Sequence, residues 1–321
     1  MNSIGLQQIR EAAVRLTGVA HRTPAVTSGQ LDAIAGYPLV FKCENLQRVG
    51  AFKFRGAWNA VSQLTDAEAA RGVVTHSSGN HAQALALAAR ERGIPAHIVM
   101  PNNAPPVKRV AVEGYGARII ECEPTLAARE TTAATVLAET GGVFIHPYDN
   151  PHIIAGQGTA ALELLDDVPN IDVIIAPIGG GGLMSGTCLA AHGIKPSLRV
   201  IGAEPAGADD AARSLAAGKL IPQTGPDTVA DGLLTSLGEL TWPIIRDHVE
   251  SIVTVDDPTI LRSMRVFWER TKLIIEPSSA TAVAVAMSEE VAALNPRRVG
   301  VILSGGNVNL DALGQYFSPR Q

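Results

Sequence analysis

The 321-residue sequence predicts an α/β protein built on two parallel sheets, with a ligand site between them. Three observations carry this prediction. Short β-rich runs alternate with helical runs along most of the chain, the pattern of βαβ units with right-handed crossovers. Helical runs in the first half are closed by glycines, Gly93, Gly114 and Gly141. The segment Pro147-Tyr148-Asp149-Asn150-Pro151 interrupts the series near its middle and is the best internal boundary.

Taken in order, Ser3 caps a helix running to Leu16, with Ile4, Ile9, Ala13 and Leu16 on one face. Pro38–Cys43 reads as a strand and Arg55–Leu64 as a helix. Strands follow at Gly72–Thr75, Ala96–Met100, Ala117–Cys122 and Val143–His146. The helices between them are His81–Arg92, Pro106–Gly114 and Leu126–Glu139. A second series comprises helix His152–Leu165, strand Ile171–Pro177, helix Leu183–His192 and strand Arg199–Ala203. After a long irregular region come strand Ser251–Val255, helices Pro258–Thr271 and Pro277–Ala293, and strand Val299–Leu303.

Composition narrows the function. The net charge is -5 and no basic run exceeds two residues, which argues against a nucleic-acid partner. No apolar run approaches the roughly 20 residues that span a bilayer, so no membrane partner is expected. The amphipathic N-terminus carries both charge signs and does not read as a secretory signal. Cys43, Cys122 and Cys188 are far apart and odd in number, which speaks against a disulfide framework and for a reducing, cytoplasmic setting.

Five stretches carry chemistry. Lys53 lies between Phe52 and Phe54 at a strand-to-helix passage, where desolvation and a helix N-terminus both disfavour an ammonium. Such a lysine is either a Schiff-base nucleophile or a snorkelling surface residue. Ser77-Ser78-Gly79-Asn80-His81 joins a strand to a helix and exposes amides to an anion, or else Asn80 is a plain helix cap. Gly179-Gly180-Gly181-Gly182-Leu183 follows a buried strand and opens a helix, a natural seat for a phosphate. Glu204 and Asp210 bracket the loop EPAGADD, which is either an oxygen-ligand site for Mg²⁺ or Ca²⁺ or a solvated acidic loop capping the helix that follows. Ser304-Gly305-Gly306-Asn307 ends the last strand, where side chains point into a ligand crevice. A rival reading uses Gly180, Gly182 and Gly186 as a dinucleotide fingerprint with Glu204 on the ribose, giving a nicotinamide-dependent oxidoreductase. A further alternative is a non-catalytic amino-acid-binding relative.

Together and in this order, the stretches resemble the fold-type II pyridoxal-phosphate (PLP) enzymes. Within them they resemble the group of serine/threonine dehydratases, serine racemases and 3-hydroxyaspartate dehydratases. The matching pieces are ENLQRVGAFKFRGAWN, SSGNHAQALALAA, GIPAHIVMP, GARIIECEP, PYDNPHIIAGQGT, GGGGLMSG, GAEPAGADD, TVADGL, WPIIRDHV, IEPSSA and LSGGNVNL. The resemblance implies two three-layer α/β domains of the tryptophan-synthase-β-like kind with PLP between them. Residues 1–68 and 152–321 would form a large cofactor domain, and 69–151 a small mobile domain that closes on substrate. No regulatory domain is expected after Gln321.

The same resemblance implies residue roles. Lys53 would hold PLP as a Schiff base and later act as base, with Phe52 packed near the ring. Asn80 would donate to the ring's phenolic oxygen, Gly179 to Leu183 would hold the phosphate, and Ser304 would bond the pyridine nitrogen. Ser78 would be the acid/base on the face opposite Lys53. Ser77, Ser78, Asn80, His81 and Arg129 would hold substrate. Glu204, the Ala208 carbonyl and Asp210 would bind Mg²⁺, Ca²⁺ or Mn²⁺. The implied reaction is β-elimination from a β-hydroxy amino acid to a 2-oxo acid and ammonia, with racemisation of serine or aspartate as a side activity. 3-Hydroxyaspartate and serine rank ahead of threonine. Primary serine racemase or catabolic threonine dehydratase activity are the alternatives, and a homodimer is the expected assembly.

Overall fold

The computed structural model describes residues 4–104 and 106–317. Among these residues the strands are β1 (Ala25–Val26), β2 (Leu39–Cys43), β3 (Val73–His76), β4 (Ala96–Pro101), β5 (Arg118–Cys122), β6 (Val143–Phe144), β7 (Val173–Pro177), β8 (Arg199–Pro205), β9 (Ser251–Val255) and β10 (Val299–Leu303). They form a six-stranded sheet in the order β1-β2-β10-β7-β8-β9 and a four-stranded sheet in the order β5-β4-β3-β6. Apart from the antiparallel pair β1–β2, every strand pairing is parallel.

Each sheet is covered on both faces. That is why β2, β7 and β10 read as unbroken apolar runs and are buried throughout. On one face of the large sheet, helices Pro151–Asp167 and Gly182–Ile194 pack Leu162, Leu164, Met184 and Cys188 against Ile174 and Ile302. On the other, helices Asp257–Thr271 and Pro277–Ala286 pack Met264, Phe267 and Val283 against Phe41 and Val301. The small sheet lies between helix Asn80–Arg92 and helix Leu126–Thr140. This is the expected architecture of two three-layer α/β units.

Several local expectations need correction. Ser3 lies outside the described residues, and Gly5 is the N-cap of helix Leu6–Leu16. Gly114 is the last helical residue of its segment; the left-handed glycine there is Gly116, at φ 83°. The run 277–293 is two helices, because the chain breaks after Ala286 and Ser288 caps Glu289–Ala292. The irregular region contains helices Asp210–Ala217 and Thr241–His248.

The helix that carries Lys53, Lys53–Val61, is fixed from below by a buried ionic network. Arg55 donates from Nε and Nη2 to the Glu44 carboxylate at 2.7 and 2.8 Å, and from Nη1 and Nη2 to Glu163 at 2.7 and 2.9 Å. Lys42 reaches the same Glu163 at 2.6 Å. Buried ions keep their charge only when paired in this way. The same helix crosses Pro151–Asp167 closely: a Cβ on Gly156 would come within 2.6 Å of Gly56 Cα.

Candidate active site

A cleft of about 250 Å³ opens between the carboxyl ends of the two sheets. It is lined by the stretches singled out above, the acidic pair Glu204 and Asp210 excepted. After β2 the chain makes two short turns in which Val49 and Gly50 take positive φ values of 57° and 66°. Ala51 then bridges Gly305, Phe52 N donates to Ser304 O at 3.0 Å, and Gly306 N donates to Gly50 O at 2.9 Å. The lysine segment is therefore stitched to the end of β10. Lys53 is the first helical residue, where the sequence suggested a helix beginning at Arg55. Its Nζ lies 5.2 Å from the Phe52 ring centroid and donates to Pro147 O at 2.8 Å. Burial lowers its pKa from 10.5 to about 8, so a useful fraction is free amine near neutral pH.

Gly179–Gly182 follow β7 and open helix Gly182–Ile194, whose N-cap, Gly181, sits at φ 87°. The first amides of such a helix have no partner within it and point at whatever occupies its end. Side chains are excluded from this loop on both flanks. A Cβ on Gly180 would lie 2.3 Å from the Tyr148 ring, and one on Gly179 would lie 3.0 Å from Leu233 Cα. Thr241 Oγ1 donates to Gly180 O at 2.9 Å and steadies the loop from behind. Bare amides held open by walls on either side fit a phosphate, and with Lys53 across the cleft they fit PLP.

At the other end of the cleft, Ser304 Oγ lies 3.1 Å from Ser279 Oγ. Ser279 spends its only hydroxyl hydrogen on Gly305 O, at 2.7 Å, and accepts from Gly305 N. Ser304 is thus the donor of that pair, and its hydrogen can turn to a ring nitrogen.

Asn80 does not cap its helix; Gly79 is the N-cap. The Asn80 amide instead donates from Nδ2 to both oxygens of Glu276, at 3.0 and 3.2 Å, and accepts from Asn307 Nδ2 at 2.9 Å. Glu276 also accepts from Asn307 N at 3.1 Å. This buried carboxylate was not among the sequence-derived site residues, although it lies inside the quoted segment IEPSSA. The available signal was a lone acid heading the uncharged, fully buried helix Pro277–Ala286, a place where a carboxylate needs partners.

Ser77, Ser78, His81 and Arg129 also line the cleft. His81 Nε2 bonds the Ile145 carbonyl at 3.2 Å, so its ring braces the neighbouring chain. Arg129 has no ion pair among the described residues, and its buried Nε has no partner. Lys108 and Asp231 form an ion pair across the mouth of the cleft.

Glu204, Ala208 and Asp210 lie together at the end of β8, away from the cleft lining. Glu204 accepts from Ala211 N and Ala212 N at 2.9 and 2.8 Å, and Asp210 accepts from Leu237 N at 3.1 Å. Burial pushes the two carboxyls up, to about 8 and about 6. Neither forms an ion pair among the described residues. The Arg213 guanidinium pulls the Asp210 carboxyl down without offsetting its burial; a pair of carboxylates is the kind of donor set a divalent ion takes. No cluster of three or more His, Cys, Asp or Glu side chains of that kind exists among the described residues.

Comparison with known proteins agrees with this geometry. Residues 16–305 match the family model described as pyridoxal-phosphate dependent enzyme. The chain is 51% identical over 319 residues to serine racemase of Oryza sativa subsp. indica, covering 98% of this chain and 94% of that protein. It is 52% identical over 292 residues to the beta-hydroxyaspartate dehydratase of Paracoccus denitrificans, covering 91% and 92%. The solved structure of maize serine racemase superposes with a TM-score of 0.95 at 50% identity, covering 97% of this chain and 96% of that one. The nicotinamide reading has no support left. The chain belongs to the pyridoxal-phosphate dependent enzyme family, with the fold-type II architecture.

Proposed function

We propose that this enzyme eliminates the β-hydroxyl of 3-hydroxyaspartate or serine, with threonine a poorer substrate, and releases a 2-oxo acid and ammonia. Serine or aspartate would be racemised at the same site as a side activity. The observation that carries this reading is Lys53. Its amine has a lowered pKa and faces a cleft that offers amides at one end and a neutral hydroxyl, Ser304, at the other. The names of the Oryza racemase and the Paracoccus dehydratase favour the two halves of the reading about equally.

Bound PLP would supply an aldehyde that condenses with amines and a ring that accepts the electron pair left at Cα. The remaining work falls to the chain. Gly179 to Leu183 would hold the phosphate, Phe52 would pack beside the ring, and Asn80 would donate to its phenolic oxygen. Ser77, Asn80 and the main-chain amide of His81 would orient the substrate carboxylate, since the His81 ring is spent on Ile145 O. Lys53 removes the α-proton. A serine at the ring nitrogen cannot stabilise a positive charge there as a carboxylate would. The electron sink would then be weak, and loss of the β-hydroxyl, leaving as water with a proton from the PLP phosphate, would be the easier exit for the charge. Ser78 returns a proton on the opposite face when inversion occurs. Arg129, an unspent cation in the cleft, suits a second substrate carboxylate and so favours 3-hydroxyaspartate.

Residues 69–151 would act as a small domain that moves against 1–68 and 152–321, closing the cleft and excluding water. We also assign Mg²⁺, Ca²⁺ or Mn²⁺ to Glu204, the Ala208 carbonyl and Asp210, a homodimer as the assembly, and the cytoplasm as the setting. Three buried free thiols support the last. No helix among the described residues is long and apolar enough to cross a membrane. The test is a substrate panel of serine, threonine and 3-hydroxyaspartate isomers, scored for 2-oxo acid and for inverted enantiomer. Turnover of none of them would reject the proposal.

A further inference from the structure

The strap between the two sheets, residues 145–149, makes hydrogen bonds at nearly every position. His81 Nε2 holds the Ile145 carbonyl. His146 Nδ1 accepts from Tyr148 N at 3.3 Å and from Asp149 N at 2.8 Å, closing a tight turn with Pro147 at its crest. That acceptor role makes Nε2 the protonated nitrogen of a neutral ring. The Asp149 carboxylate accepts from the amides of Glu239, Leu240 and Thr241 at 3.1, 2.9 and 3.2 Å. The Tyr148 ring fills the space beside Gly180, and its Cβ and main chain lie against Gly182. The turn leaves the Pro147 carbonyl facing the cleft, and Lys53 Nζ sits on it at 2.8 Å.

We propose that the Pro147 carbonyl is the dock for the Lys53 amine whenever substrate has displaced it from the cofactor, and that His146 is the positioning residue that aims this carbonyl. The inference rests on the PLP-dependent reading above. A displaced lysine has four rotatable bonds and must be held if it is to take a proton at one carbon. Once it has taken that proton it is an ammonium with three donors in a partly dry cleft, and it needs an acceptor there. Pro147 supplies one without adding charge. His76 and His81 line the cleft and His146 lies near Lys53; burial lowers the pKa of each, so the cations that share the cleft with the ammonium are Arg129 and Lys108, the latter paired with Asp231. Proline suits the crest because it has no N–H to compete for the His146 acceptor.

The test compares His146→Leu, which removes the acceptor, with His146→Asn, whose side-chain oxygen can accept the same two amides as an Asx turn does. Lys53 in the cofactor-free protein is labelled with acetic anhydride across pH and read by mass spectrometry. The midpoint, near 8 in the wild type, should move down by about one unit in His146→Leu, because the ammonium loses its acceptor. It should return in His146→Asn. In the cofactor-loaded enzyme, His146→Leu should lose about tenfold in kcat with KM within about twofold, since a well-placed amine is needed only for the chemical step. A midpoint unchanged in His146→Leu, or one that Asn does not restore, would overturn the proposal; a merely structural role would lower Tm and leave the midpoint alone. If His146→Leu does not fold, the wild type decides. A crystal structure of the cofactor-saturated enzyme with α-methylserine, which displaces lysine but has no α-proton, should place Lys53 Nζ within hydrogen-bond reach of Pro147 O. Any other position refutes the dock. An absorption spectrum unaffected by α-methylserine would count against the substrate reading, and the labelling midpoints would still decide the dock.

Discussion

Glu276 gives the sharpest quantitative prediction, because its environment fixes both a magnitude and a sign. The side chain is 3% exposed and accepts three hydrogen bonds, two from Asn80 and one from Asn307. Burial, reinforced by the charge of Asp231, raises its pKa from 4.5 to about 7 against the pull of those donors. The folded protein therefore holds this proton more tightly than the unfolded chain does. Below about pH 4.5 the group is protonated in both states and has no effect on stability. As pH rises from 4.5 to about 7, the unfolded chain ionises while the folded protein must still take up a proton, so folding is increasingly penalised. Above that window the cost is complete, and a shift of this size at ~1.36 kcal/mol per unit is about 3 kcal/mol. Glu276→Gln removes the titration. It also leaves an amide facing two donors, Asn80 Nδ2 and Asn307 N, at a pH-independent cost of about 1–2 kcal/mol.

The variant should thus be less stable than the wild type near pH 5 and should draw level or overtake it by pH 8. For a chain of this length about 3 kcal/mol corresponds to roughly 4–5 °C in Tm. Melting the cofactor-free proteins side by side from pH 5 to pH 8 measures it, and buffer effects common to both cancel in the difference. Parallel Tm profiles would mean that Glu276 does not titrate in this window, and would refute the reasoning.

Other perturbations probe the rest of the site. Lys53→Ala should remove the visible cofactor band that borohydride abolishes in the wild type and lower turnover by roughly 10²–10⁴-fold, as read by 2-oxo acid release. Ser78→Ala should cut racemisation about 100-fold while elimination falls less than about tenfold; chiral chromatography beside an ammonia assay separates the two, and equal losses would remove Ser78 from its role. Gly180→Ala should weaken cofactor affinity at least about tenfold, by equilibrium dialysis, because its Cβ would collide with the Tyr148 ring. Chelation by EDTA should lower Tm if Glu204 and Asp210 hold a divalent ion, with Mg²⁺ restoring it. An unchanged Tm would leave the pair as an acidic helix cap.

The parts of this molecule that could be read from sequence are those whose cause is local. β7 and β10 announce themselves as apolar runs that end in glycine clusters. Lys53 is marked by its aromatic neighbours and by the strand-to-helix passage. Helix Asp210–Ala217 was foreseen only as what the acidic loop would cap, and helix Thr241–His248 was missed, because each spans eight residues, too few for a periodic stripe to stand out; the second also carries Pro243 in its first turn. The break at 287–288 hides inside a continuous helical pattern, and only the Ser288 cap reveals it. What Glu276 and His146 bond to was out of reach for a different reason. Their partners, Asn80 for one and the turn beneath Lys53 for the other, are set by how the two sheets meet, and no spacing along the chain encodes that meeting.

The order β2-β10-β7 is what brings three of the four cleft-lining stretches together. Val301 aligns with Phe41 on one side and with Ile175 on the other, so the three strands end at one level, at Cys43, Leu303 and Pro177. The residues just past those ends are the lysine segment, Ser304 and the glycine loop. Segments more than a hundred residues apart in sequence thus arrive on neighbouring strand ends, and β10 is threaded last, between two strands already far apart along the chain. The Ala51–Gly305 bridge and the Phe52 N to Ser304 O bond then tie the lysine to the residue that would meet the ring nitrogen. A one-residue slip of β10 would exchange the faces of its side chains, moving Val301 away from Phe267 and Ser304 away from Ser279 together. Register in the central strand and chemistry at its tip are therefore set by the same packing.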